Sequence, residues 1–155
     1  RGFAKEGWKV LKSLSDTALD FDTSHIYPGI PEYFRSDGRG MYHYLTGAAS
    51  WYLLTMITEV FGVRGVSGNL LVRPKLLAEQ FDENAMASVS VTFAGKQFLV
   101  NYSNPARKDY GFYHISYADC DHTPLEITED SNIVISREFI EKLSSDVHEI
   151  TVMLA

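Results

Sequence analysis

The run Gly38-Arg39-Gly40-Met41-Tyr42-His43-Tyr44-Leu45-Thr46-Gly47-Ala48-Ala49-Ser50-Trp51 offers the chemistry of an anion site. Thr46 and Gly47 stand where an apolar, helix-like pattern begins, just after a glycine-rich turn. Backbone N–H groups at a helix start lack intrahelical partners and attract anions. A glycine there lets a ligand approach the main chain, and the Thr46 hydroxyl can donate to a phosphate oxygen. The same two residues also fit a purely structural role, with Thr46 capping the helix and Gly47 allowing a close packing contact. The GxxxxGK[ST] spacing of a nucleotide-binding P-loop is absent.

Further polar groups and rings precede this run. Glu32, Asp37, Asp22 and Asp20 are carboxylates in or near a loop that also holds Tyr27, Tyr33, Phe34, Tyr42 and Tyr44. Flat rings beside hydrogen-bonding groups suit a sugar, and they equally suit interdomain packing. A glycosidase-type carboxylate pair is defined by its separation in space, so none is assigned from sequence. Arg39 carries a planar fork that matches phosphate; a salt bridge to Asp37 or Glu32 is its alternative role. His43 lies three positions before Thr46 and either lines the same site or packs.

Other chemistries find little support. His25, His43, His114, His122 and His148 show no HExxH or comparable spacing, so no metal site is expected. Ser50 has no GxSxG context. Cys120 is the single cysteine, which excludes an internal disulfide and a thiolate-rich metal site. Its neighbours Asp119 and Asp121 disfavour a thiolate, so it is not expected to be a nucleophile. With 14 Lys and Arg against 20 Asp and Glu, the net charge of −6 argues against a nucleic-acid or anionic-membrane surface. No signal segment or membrane-spanning apolar run is visible, and a soluble, cytoplasmic chain is expected.

These residues need elements to hold them. Residues 3–19 space Phe3, Trp8, Leu11, Leu14 and Ala18 as one face of an amphipathic helix. Residues 20–43 lack a steady period and read as an ordered loop. Residues 44–61 predict a helix that is apolar at nearly every angular position, with Gly62 as its C-cap. Such a helix wants protein on all sides, and nothing else in the chain supplies enough helical surface. The chain also begins at Arg1 and enters a helical pattern almost at once, so it reads as part of something longer.

Beyond residue 66 the period becomes two. Strands are expected at Asn69–Arg73, Ala87–Phe93, Gln97–Tyr102, Gly111–Tyr117, Asn132–Ile135 and Glu149–Leu154, antiparallel by pattern. Ser136–Leu143 reads as a short helix or turn capped by Ser136. The expected fold class is α+β, with helices first and an antiparallel, jelly-roll-like β-sandwich after them. Tyr102, Tyr110, Phe112, Tyr113 and Tyr117 are dense enough to suggest binding, although sandwich packing explains most of them.

Tyr27-Pro28-Gly29-Ile30-Pro31-Glu32-Tyr33, followed by Gly38 through Trp51, resembles the cellobiose phosphorylase family (glycoside hydrolase family 94, formerly grouped as glycosyltransferase family 36). Phe61-Gly62-Val63-Arg64-Gly65, Leu70–Leu76, Phe93-Ala94-Gly95-Lys96 and His148–Leu154 extend the likeness to the family's C-terminal part. The resemblance implies that residues 1–65 are the last segments of an (α/α)6-barrel catalytic domain and that residues 66–155 are a C-terminal β-sandwich domain. It implies inverting phosphorolysis of a β-linked disaccharide, with cellobiose preferred and inorganic phosphate as co-substrate, and with no other cofactor. The family's phosphate-site Thr-Gly pair matches Thr46 and Gly47. Arg39, Glu32, Tyr33 and His43 are then site-lining candidates.

The family's general acid, an aspartate, lies upstream in the barrel, so this chain alone is expected to be inactive. Expected partners are the rest of the barrel, the disaccharide and phosphate, and a second copy in a homodimer; no nucleic acid or membrane is expected. Two alternatives stand beside this one: a non-catalytic carbohydrate-binding or structural β-sandwich module, and a piece of a cyclic β-glucan synthase.

Overall fold

The computed structural model describes residues 2–26, 29–43, 46–144 and 146–155. The chain divides into two compact units, Arg1–Thr55 and Met56–Ala155. Together they give a small α+β chain with helices first and several β-sheets after them.

In the first unit, α1 spans Ala4–Leu19 and α2 spans Phe21–Ser24. Asp20 separates them and caps α2, its carboxylate accepting from the Thr23 N–H at 3.4 Å and the Thr23 hydroxyl at 2.6 Å. The expected inner face of α1 is only partly realised: Ala18 is buried, Trp8, Leu11 and Leu14 are half-buried, and Phe3 is exposed. Two short strands follow, β1 at Tyr33–Phe34 and β2 at Gly40–Met41, paired Tyr33 to Met41 and Phe34 to Gly40. The predicted loop therefore contains a hairpin, too short to register as a period.

The helix expected over 44–61 is a shorter α3, Ala48–Thr55, followed by a π-helical turn over Met56–Val60. Tyr44 and Leu45, where that helix was expected to start, lie outside the described residues, as do Tyr27 and Pro28 of the aromatic loop. The π turn closes with the Phe61 N–H donating to Met56 O at 2.9 Å. Gly62 then stops the helix at φ +73°.

In the second unit, β3 (Val63–Val66) and β4 (Asn69–Val72) form a hairpin whose turn, Ser67-Gly68, holds both residues at positive φ. A 3-10 turn at Ala78–Gln80 leads to β5 (Met86–Phe93) and β6 (Lys96–Ser103), which are joined through Ala94-Gly95, again both at positive φ. Then come β7 (Ile115–Cys120), β8 (Thr123–Pro124), β9 (Ile133–Ile135), α4 (Arg137–Lys142) and β10 (Val147–Leu154). They make a three-stranded sheet ordered β3-β4-β9 and a five-stranded sheet ordered β5-β6-β10-β7-β8.

Two expectations need correction. The strand expected from Gly111 begins only at Ile115, because Gly111 sits at φ +94° and Phe112 N–H turns back to Asp109 O at 3.0 Å. The larger sheet is also not purely antiparallel: β10 pairs parallel to β6 and antiparallel to β7. A strand lodged between two oppositely directed neighbours must be parallel to one of them. The alternation of Ile150, Val152 and Leu154 is the same in either pairing.

The buried side chains follow the strand period. Phe98, Val100 and Tyr102 on β6 stand in register with His148, Ile150 and Val152 on β10. Leu70 and Val72 on β4, Ile133 and Ile135 on β9, and Ile140 on α4 are buried in the same unit. His148 is a buried polar residue of this unit, as are Asn104 and Asp119. Its Nδ1 meets Asp121 Oδ2 at 2.6 Å and its Nε2 meets Ser144 O at 3.2 Å. Both partners are acceptors, so the ring bonds both fully only as imidazolium.

The hydrogen bond to Asp121 raises the His148 pKa above its ordinary 6.5, against an opposing effect of burial; the Ser144 carbonyl adds to the rise and Lys96 opposes it. For Asp121, burial acts to raise the pKa, yet the Glu149 N–H and His148 outweigh it and hold the carboxyl below 3.8. The His148 contribution to stability is therefore complete below about pH 6.5 and is lost as pH rises through the raised folded value. The Asp121 contribution is lost at the acid end, as pH falls through its lowered value. Thermal unfolding against pH is expected to show a decline in stability as pH rises above about 6.5 that His148→Phe removes.

Cys120 is buried, and burial followed by the charges of Asp121 and Asp119 pushes its thiol up to about 11. It is a core thiol, not a nucleophile.

Candidate functional site

The hairpin β1–β2 and the start of α3 position the residues singled out around Thr46. The Glu32 N–H donates to Tyr42 O at 3.1 Å, extending the β1–β2 ladder by one step and setting these two residues opposite each other. The rings of Tyr33 and Tyr42 lie 5.9 Å apart, both largely exposed, and Tyr42 holds φ +53°. The Thr46 hydroxyl donates to the Glu32 carboxylate, fourteen residues away in sequence, and accepts the Ala48 N–H at 3.1 Å. The Gly47 carbonyl accepts from Trp51 N–H at 2.9 Å, the first helical bond of α3. A Cβ on Gly47 would stand 3.2 Å from Trp51 Cδ1, so the glycine also makes room for that ring.

The structure thus brings together Glu32, Tyr33, Tyr42, Thr46 and Gly47. Arg39 is elsewhere on the hairpin. Its carbonyl accepts from Arg35 N–H at 2.9 Å at the turn, three pair positions from Glu32 and Tyr42, or about 10 Å along the strand at ~3.3 Å per residue. The salt bridge weighed for Arg39 belongs to its neighbour: Arg35 meets Asp37 at 3.1 Å. Asp37 Oδ1 instead accepts the Arg39 backbone N–H at 3.2 Å, and the Arg39 side chain is exposed. His43 is exposed next to Tyr42.

Electrostatics limit what this arrangement does as it stands. The Thr46 donor is directed at a carboxylate, and a dianion placed there would meet the Glu32 charge at close range. The Thr46 hydroxyl has a single proton to donate, and in this structure it goes to Glu32, which is exposed. A cavity of about 520 Å³ does exist in the first unit, lined by Lys9, Leu14, Thr17, Phe34 and Arg35, and neither Thr46 nor Glu32 reaches it. Among the described residues no cluster of three or more His, Cys, Asp or Glu is arranged to hold a metal ion. No described helix is long and apolar enough to cross a membrane.

Sequence reasoning missed two charged groupings. Glu59 bonds Lys75 at 2.5 Å and Arg64 at 3.0 Å; the Lys75 hydrogen bond lowers its pKa against the effect of burial, and the Lys75 and Arg64 charges help. His148, Asp121 and Lys96 converge near the Ser144 carbonyl, with Lys96 Nζ donating to Ser144 O at 2.6 Å. The contacts Glu59–Lys75 and Asp121–His148 span 16 and 27 residues and have no local signal, Lys75 being brought up by its own N–H bond to Val60 O and Asp121 by the Asp121 N–H bond to Glu149 O. No protein-family model matches the chain, and no curated protein matches its sequence at a significant level.

Proposed function

We propose that the chain is the C-terminal part of an inverting glycoside phosphorylase, which converts a β-linked disaccharide, cellobiose first among them, and phosphate to an α-sugar 1-phosphate and a free sugar. On this proposal residues 1–65 complete an (α/α)6 barrel and residues 66–155 form its jelly-roll-like companion. The observation that carries it is α3. Six of its eight residues, Ala48, Ala49, Trp51, Tyr52, Leu53 and Leu54, are apolar or aromatic, and none of the eight is buried. Trp51 is 68% exposed, Leu53 61% and Leu54 48%. A helix apolar on every side belongs inside a larger helical assembly, and the Thr46-Gly47 pair that resembles a phosphate site immediately precedes it.

The chemistry divides accordingly. Thr46 and the N–H groups at the start of α3 hold phosphate in line with the anomeric carbon. An acid on the remainder of the barrel protonates the departing sugar oxygen. Phosphate takes the place of the water used by an inverting hydrolase. Glu32 releases Thr46 as the anion enters.

A chain extended at its N-terminus through the barrel is expected to release glucose 1-phosphate from cellobiose and phosphate, and the 155-residue chain to release none. Thr46→Ala in the extended enzyme should raise the KM for phosphate at least about tenfold, equivalent to ~1.4 kcal/mol, with a smaller change for cellobiose. Activity of the short chain alone would overturn the assignment of the acid to the barrel. An unchanged phosphate KM would remove Thr46 from the site. Saturable micromolar binding of cellodextrins by the short chain would favour a carbohydrate-binding module instead.

A further inference from the structure

The two edges of the five-stranded sheet are built differently. A free strand edge offers unpaired N–H and C=O groups to other chains, and proteins blunt it with shortness, proline, charge or a bulge. At one edge, β8 is two residues long and one of them is Pro124. In the smaller sheet the outer strands β3 and β9 have four and three residues, and β3 carries Arg64. At the other edge of the larger sheet, β5 has none of these devices. Its eight residues, Met86–Phe93, include no charge and no proline, and they pair with β6 in unbroken register from Met86–Ser103 to Phe93–Lys96.

The ladder decides which backbone groups are free. Alternate residues of an antiparallel strand bond to the neighbouring strand, and the others point away from it. Phe93 and Lys96 close a two-residue turn and are therefore a bonded pair. The outward set is then Met86, Ser88, Ser90 and Thr92. Met86 is already used: its N–H donates to Asp82 Oδ1 at 2.8 Å and its carbonyl accepts the Asp82 N–H at 2.9 Å. Ser88, Ser90 and Thr92 are exposed, and among the described residues nothing bonds their outward N–H and C=O groups. The open stretch is thus centred on Ser90.

We propose that β5 pairs antiparallel with β5 of a second copy of this chain, about a two-fold axis at Ser90. That register sets Ser90 opposite Ser90 and Ser88 opposite Thr92, and each such pair exchanges two N–H···O bonds. Every free group of the edge is used. A shift of two residues either way would set an open residue against Met86, whose groups are taken, or against Ala94 in the turn, and would lose a pair. The side chains match in the same register. On the half-buried face Val89 meets Val91 of the other copy, and the large Phe93 meets the small Ala87. Phe93 is backed by β3, where a Cβ on Gly65 would stand 2.8 Å from its Cε2. Charge also favours self-pairing: the chain carries a net −6, yet this strand is neutral, so two copies meet here without like charges opposed. One pair of strands is a small interface, which puts the dimer at the weak, reversible end of specific association. The edge lies wholly within Met56–Ala155 and needs neither phosphate nor Thr46, so it stands or falls apart from the phosphorylase proposal.

The test is sedimentation equilibrium of the full 155-residue chain from micromolar to millimolar concentration, where a reversible monomer–dimer equilibrium is expected. Ser90→Lys, at an exposed position, brings two ammonium groups together on the axis and should weaken the dimer about fivefold or more, with the far-UV circular dichroism of the monomer unchanged. The double variant Ser88→Lys, Thr92→Glu places opposite charges across the axis twice and should tighten the dimer about threefold or more. A chain that stays monomeric at millimolar concentration would overturn the proposal. So would a dimer that Ser90→Lys leaves intact, and if Leu53→Ser abolished that dimer the contact would belong to the exposed face of α3 instead. A double variant that weakens the dimer would overturn the two-fold register, and growth beyond a dimer would overturn the closed pairing.

Discussion

Gly62→Ala is expected to cost on the order of 3–5 kcal/mol, the range reserved for substitutions that break a specific structural constraint. The backbone sits at φ +73°, where an L side chain is strained by itself. A Cβ built there would lie 1.8 Å from the Arg73 carbonyl oxygen and 2.2 Å from its carbon. Those atoms are main chain and cannot rotate away. Arg73 is also tied to this glycine by its N–H, which donates to Gly62 O at 2.9 Å, so relief of the clash breaks a hydrogen bond of the same pair. Chemical denaturation of the 155-residue chain should show the lost stability. A loss below about 1 kcal/mol would mean that the backbones of Gly62 and Arg73 do not approach this closely.

Tyr102→Ala should be comparable, roughly 3–5 kcal/mol, as for other large aromatic truncations in a core. Tyr102 is 0% exposed, stands opposite Ala87 on β5 and Val152 on β10, and packs on the ring of Phe61 with centroids 6.1 Å apart. Its hydroxyl donates to the Phe61 carbonyl at 2.6 Å. Tyr102→Phe separates the two contributions: it keeps the ring and strands the Phe61 oxygen, at about 1–2 kcal/mol. If Tyr102→Phe cost as much as Tyr102→Ala, the hydrogen bond rather than the packing would dominate. Burial raises the phenol pKa well above 10, and the nearby Tyr113 adds to this, so the donor persists at any pH at which the fold survives.

The two predictions converge on one place. The carbonyls of Val60, Phe61 and Gly62 end a helix and have no successors to donate to them. Each is met by a different part of the second unit: Lys75 N–H, Tyr102 Oη and Arg73 N–H. Charge reinforces the junction, since Glu59 on the π turn bonds both Lys75 and Arg64. The end of the apolar helix is therefore firmly anchored, while α3 before it has no buried residue. That contrast is what the phosphorylase proposal explains.

Much of this was legible in the sequence, and the reasons are local. Ser88–Phe93 alternates, Ala94-Gly95 supplies the two positive-φ positions of a tight hairpin, and the paired strands Met86–Phe93 and Lys96–Ser103 follow. Gly62 marks the end of the helix because a glycine is the residue that enters the left-handed region without strain. Ser136 caps α4 through Phe139 N–H at 3.2 Å, as a serine three residues before that donor suggests. The all-round apolar character of residues 48–55 is likewise written in the residues themselves.

Tertiary structure decided the rest. Only the three-dimensional arrangement puts β10 between β6 and β7, since strand alternation has the same period in parallel and antiparallel ladders. Only it joins Asp121 to His148 across 27 residues. Around Thr46 the division is sharpest. The sequence by itself determined that a hydroxyl and a glycine open an apolar helix, because capping and backbone access depend on adjacent residues. That the hydroxyl meets Glu32 was decided by the β1–β2 pairing, which carries a carboxylate back over fourteen residues to a place no spacing rule specifies.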